Sequence, residues 1–140
     1  MIQPTILMEP GSPADVWTLT GTTVDLDRGD LLSFEDGVAV LMNLVTEDAT
    51  FAGVCHNAYD ADILVPAQVT SLMKCIIDID VTSATYTGFQ PLLWASDNCL
   101  ETDAGANTIA FCWRAAASAV TRLKVYVNVP ELQKLFAVSA

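Results

Sequence analysis

The side chains that could carry chemistry in this sequence are few and poorly arranged for it. The only histidine, His56, closes the apolar run Phe51 to Cys55, with Asp60 and Asp62 close behind. A Cys55–His56 catalytic pair is excluded, because a strand sends adjacent side chains to opposite faces. A pair with a more distant Cys or Ser needs a third, orienting group, and no motif marks one. His56 is therefore expected at a loop edge with a polar partner. Asp78 and Asp80 alternate with Ile77, Ile79 and Val81, which places both carboxylates on one strand face about 6.5–7 Å apart. That separation suits a carboxylate pair for sugar hydrolysis or a cation site. The simpler reading is a solvated face that answers Arg122 and Lys124 on a neighbouring strand.

Asp25, Asp27 and Asp30 have a superficial calcium-loop spacing. The loop needs a glycine at its sixth position, and Asp30 stands there, so the match fails. Gly29, Gly37 and Gly53 form no phosphate-cradling or dinucleotide fingerprint. Cys55, Cys75, Cys99 and Cys112 lie 20, 24 and 13 residues apart with no Cys-x-x-Cys or Cys/His ligand spacing, so no zinc site is expected. Cys55, Cys75 and Cys112 sit among apolar neighbours and read as small hydrophobes, while Cys99, in a polar turn, is the exposed thiol. These residues point to no metal, no cofactor and no catalysis.

The elements that would position these residues read as strands. Apolar residues make up 52% of the 140 residues and charged ones only 16%, against the usual quarter charged. One domain with a substantial core is expected. Short apolar or alternating runs at Val16–Leu19, Thr22–Leu26, Leu31–Phe34, Val38–Val45, Phe51–Cys55, Ile63–Val65, Val69–Val81, Leu92–Trp94, Thr108–Trp113 and Arg122–Val129 are separated by turn residues. That spacing predicts an all-β fold, a small β-barrel or β-sandwich of short antiparallel strands. In the last run Leu123, Val125, Val127 and Val129 face one way, and Arg122, Lys124, Tyr126 and Asn128 the other. Residues 1–16, with Pro4, Pro10 and Pro13, predict an extended N-terminal arm ahead of a domain over 17–140. Pro130, Glu131, Leu132, Leu135 and Phe136 predict a short closing helix over 130–138, whereas Ala115–Ala119 is too short to hold a helix alone. A faint repeat sets Phe51–Ala58 beside Ile109–Ala116. A Leu-Leu-aromatic strand precedes each copy, and a Lys-bearing alternating strand, Lys74–Val81 or Lys124–Val129, follows it.

Charge narrows the partners. The formal net charge is −11, and residues 1–89 hold thirteen acids against Arg28 and Lys74, whereas residues 90–140 are balanced. Phosphate contacts need clustered Lys and Arg, so direct nucleic-acid binding is not expected. The N-terminus lacks a signal-peptide pattern, and no apolar run reaches the ~18 residues that span a bilayer; no membrane association is expected.

Gly29-Asp30-Leu31-Leu32 through Phe51-Ala52-Gly53-Val54, then Thr87-Gly88-Phe89-Gln90-Pro91-Leu92-Leu93-Trp94 through Thr108-Ile109-Ala110-Phe111 and Lys124–Asn128, resembles a tailed-bacteriophage capsid decoration (cement) protein. The resemblance covers residues 22–129 and lies in the order of a "G-D-hydrophobic" segment, a "hydrophobic-A/G-G-V" segment and a closing alternating strand. It implies a non-enzymatic protein, made in the host cytoplasm, that binds the outside of the capsid in the virion. Its partners would be the major capsid protein and copies of itself, as a trimer or dimer. The contact residues expected on that basis are Ile2, Ile6, Leu7 and Met8 of the arm, Trp17, and Arg114, Arg122 and Lys124 of the less acidic C-terminal third. Other readings are a tail-tube or connector protein, which would assemble into rings or tubes without capsid, and a small-ligand-binding or hydrolytic β-barrel, which needs polar groups facing inward.

Overall fold

A computed structural model describes residues 3–21, 25–35, 38–42, 50–58, 68–102 and 108–129. The fold is nearly all β, as expected, with a closed five-strand barrel and a second sheet. Strand β1 is Thr5–Met8, and a single 3-10 turn, Pro13–Asp15, leads into β2 (Val16–Thr20). The first half continues with β3 (Leu31–Glu35), β4 (Val38–Leu41), β5 (Phe51–Cys55) and β6 (Gln68–Leu72). The second half has β7 (Lys74–Tyr86), β8 (Pro91–Ser96), β9 (Cys99–Thr102), β10 (Ala110–Cys112) and β11 (Ala116–Asn128). The predicted helix at 130–138 lies outside the described residues.

The barrel runs β7-β11-β10-β8-β9 and closes where β9 returns to β7 in parallel, Asp80 opposite Cys99 and Val81 opposite Leu100. The second sheet runs β2-β6-β5-β3-β4, the same order of first, fifth, fourth, second and third strand, and one parallel bridge, Gly21 to Ala39, joins its edges. The two halves are therefore copies of one five-strand unit. Paired hydrogen bonds fix the equivalence. Cys55 N donates to Asp30 O and Cys112 N to Gln90 O, while Gly29 N donates to Cys55 O and Phe89 N to Cys112 O. Cys55 thus corresponds to Cys112, one residue away from the phase read in the sequence, and β6 rather than Lys74–Val81 corresponds to β11.

Alternation accounts for the core. Ile77, Ile79, Val81, Leu123, Val125 and Val127 point inward and are buried, and β-branched side chains suit that pleated surface. The barrel interior is filled by apolar side chains. Leu19, Leu26, Leu32, Ala39, Ala52, Cys55 and Val69 form a separate cluster inside the first half, whereas Leu31, Val54 and Leu72, on the opposite face of that sheet, join the barrel's cluster.

Three sequence expectations are corrected. The run Val69–Val81 is two strands, because Met73 ends β6, its N–H bonding to Asp15 O, and β7 begins at Lys74 to pair with β11. The closing strand starts earlier than the expected Arg122, at Ala116, which stands opposite Tyr86 of β7 as Val120 stands opposite Ala84. Cys99 lies in a strand rather than a turn, because the turn falls at Asp97-Asn98 and β9 begins directly after it.

Gly53 has φ +105° and sits at a bulge where β5 carries one extra residue against Leu32 and Ser33. A Cβ there would collide with Ser71 Oγ and the Leu72 carbonyl oxygen. Both features demand glycine. Gly53→Ala is expected to lower unfolding stability by about 2–6 kcal/mol, since a left-handed non-glycine backbone and overpacking each cost about 1–3 kcal/mol; urea denaturation measures it.

Candidate interaction surface

Asp30, His56, Asp78, Asp80 and Arg122 are engaged in holding segments together, while Asp60 and Asp62 lie outside the described residues. Asp30 is 6% exposed. Its carboxylate accepts from Gln3 Nε2 at 2.8 Å, from Asn98 Nδ2 at 2.8 Å and from the Asp27 N–H at 2.8 Å. Asn98, with φ +52°, also accepts from the Leu31 N–H at 3.0 Å. The carboxylate thus ties the N-terminal segment, its own turn and the β8–β9 turn of the barrel. Gly29, at φ +98°, lets the Pro4 carbonyl approach where a Cβ would collide with it.

His56 lies at the end of β5 with its Nε2 2.6 Å from Glu9 Oε1, and Arg28 donates to His56 O at 2.6 Å. The expected polar partner is present, and it comes from the N-terminal segment. Arg122 meets both sequence-neighbouring carboxylates, Asp80 Oδ1 at 2.9 Å and Asp78 Oδ2 at 3.4 Å, and donates to Gln3 O at 2.9 Å. The pair of aspartates therefore answers a cross-strand arginine, the simpler of the two sequence readings. Lys124 stands opposite Asp78 in the ladder and is exposed.

The thiols are poor nucleophiles. Burial first, then the nearby Asp30 and Asp27 charges, push Cys55 up to about 12, and burial with Glu9 pushes Cys75 to about 12. Burial also raises Cys99 and Cys112. Cys55, Cys75 and Cys112 are buried, whereas Cys99 is half-buried. Among the described residues no cluster of three His, Cys, Asp or Glu side chains could hold a metal ion. No helix among them is long and apolar enough to cross a membrane.

The expected contact residues separate. Ile2 lies outside the described residues. Ile6 is half-buried against the barrel core, because β1 pairs with β7 of its own chain. Leu7 and Met8 are 47% and 61% exposed. Trp17 packs against both clusters, and Arg114 is exposed.

Sequence reasoning missed an outer apolar row. Pro91, Phe111, Tyr126 and Ile76 stand directly opposite one another across β8, β10, β11 and β7, and β1 extends the row with Met8. Trp113 is 46% exposed and Phe89 75% exposed. With Phe111 and Tyr126 these two rings line a concavity of about 400 Å³. Trp113 and Tyr126 lie 6.4 Å apart at 49°, an aromatic-pair geometry. Their other sides, with Met8 and Ile76, line a second hollow of about 270 Å³. The available signal was the outward parity of Tyr126 together with the strained site of Phe89, whose φ is +61°. No protein-family model and no curated protein matches the sequence.

Two outcomes follow. Asp30→Ala is expected to cost about 2–4 kcal/mol in chemical denaturation, because hydrogen bonds to a buried charge contribute about 1.5–3 kcal/mol and their donors would be stranded. It should also speed proteolysis near Gln3. Second, a thiol raised in the folded state keeps its proton while the unfolded one loses it. The stabilisation from Cys55 and Cys75 is full below the usual thiol range and lost as pH rises toward about 12. Denaturation midpoints should therefore fall on going from pH 8 to pH 11, and fall less in Cys55→Ser than in the parent.

Proposed function

We propose that this chain is a non-enzymatic structural protein of a virion that binds the outside of a tailed-phage capsid, through the major capsid protein, and stabilises the shell. The observation that carries the reading is the segment Gly29-Asp30-Leu31-Leu32. It bears the pattern of decoration proteins, and here its carboxylate is fully engaged in joining segments of the fold. The apolar barrel interior favours the same reading over a ligand-binding or hydrolytic barrel, which needs polar groups facing inward. A protein of this kind works by contact. Binding only the assembled lattice stabilises that lattice by mass action, and several weak contacts per oligomer multiply through effective concentration. The protein is made in the host cytoplasm and resides on the capsid exterior.

Co-sedimentation of the purified chain with expanded capsids that lack it tests the reading. Saturable binding to shells, with little to unassembled subunits, is the expected result. No binding to any shell would overturn it.

A further inference from the structure

We infer that the outer aromatic face of the barrel is a docking site for the first half of a second copy of this chain, so that copies associate head to tail. The first observation is the internal repeat. In the first half, Leu31, Val54, Leu72 and Val16 form the row that corresponds to Pro91, Phe111, Tyr126 and Ile76 in the barrel. Leu31, Val54 and Leu72 are at most 1% exposed, because that row packs toward the next five-strand unit of the chain and joins its cluster. Asn98 of that unit seals the contact by hydrogen-bonding Leu31 and Asp30. The barrel's own row has no such unit over it among the described residues, and it carries larger, aromatic side chains. The same fold therefore shows what kind of surface covers this row: another five-strand unit.

Phe89 is the second observation. It occupies the position of Gly29, takes φ +61°, and leaves its ring 75% exposed. A bulky side chain in the left-handed region is strained, and glycine serves the same turn in the first half. An exposed aromatic ring held at that cost is a contact group, and aromatic rings dominate interface energetics.

Charge then selects the orientation. Lys124 stands on this face beside Tyr126, its carbonyl accepting from Trp113, and Arg114 borders it. No described carboxylate pairs with either side chain. Eleven of the seventeen acids lie in residues 1–73, against Arg28. The face carries both signs, with Asp78 opposite Lys124 and Glu9 and Asp15 lining the hollow beside Trp113, so packing it against itself gains little. Packing it against another copy's strongly acidic first half gives Lys124 and Arg114 opposite charges to meet. Such a contact is heterologous, giving a ring where the rotation closes and a filament where it does not.

Sedimentation of the full-length chain over a wide concentration range, without capsids, tests the inference. The parent is expected to form concentration-dependent oligomers. Phe89→Gly and Trp113→Asp should each weaken association at least about tenfold, the effect of losing an interface anchor. Phe89→Gly relieves backbone strain, so its Tm should not fall, which separates lost contact from misfolding. In mixtures, Trp113→Asp retains an intact first half and should cap the parent's face, shortening parent oligomers. A monomeric parent at every concentration, oligomers untouched by both variants, or exclusion of Trp113→Asp from parent oligomers would each overturn the inference. The inference does not rest on capsid binding, and the capsid co-sedimentation result leaves these readouts unchanged.

Discussion

A charge buried away from water is tolerated only when its oxygens are fully hydrogen-bonded, and Asp30 is the place where this chain meets that demand. Three donors from three parts of the sequence converge on one carboxylate. Removing any of them would leave the charge less compensated, so the N-terminal segment, the β3 entry and the β8–β9 turn are positioned together. The neighbouring requirements follow from this knot. Position 29 has no room for a side chain because Pro4 lies against it, and Asn98 fits its positive φ because asparagine tolerates the left-handed region. Arg122 fastens the same N-terminal segment from the barrel side, through Gln3 O, while balancing Asp78 and Asp80.

Two copies of one strand order have diverged in what their equivalent positions do. Asp27 N bonds the Asp30 side chain and Thr87 N bonds the Gln90 side chain, so the same turn closes once with a carboxylate and once with an amide. The carboxylate reaches further, to Gln3 and Asn98, and becomes the junction between halves. His56 and Trp113 follow the equivalent cysteines, and one binds Glu9 while the other stands partly in solvent. In the first half Leu31, Val54 and Leu72 of the outer row are interior to the molecule, whereas their equivalents Pro91, Phe111 and Tyr126 reach the surface.

Several elements were legible in the residues alone. The apolar alternation of Ile77, Ile79 and Val81 and of Leu123, Val125 and Val127 identified the buried face, and Phe51–Cys55 was read with its observed limits. The Arg122 partnership with Asp78 and Asp80 was also foreseeable, since all three side chains have outward parity on strong strands. The candidate face was legible only in fragments. Met8 and Lys124 were among the expected contact residues, but nothing local to Phe89, Phe111 and Tyr126 announced that they would meet.

By itself the sequence determined the β class, the inward and outward faces of the long strands and the acidic bias of residues 1–89, because side-chain parity and composition are local properties. Tertiary structure alone decided that β9 closes the barrel in parallel on β7, that β1 adds to its own chain, that Glu9 answers His56, and that the repeat phase falls at Cys55 and Cys112. Each of these is a choice of partner across a long separation. Many pairings satisfy the same alternation, and only the packed molecule, with its buried carboxylate to satisfy, selects among them.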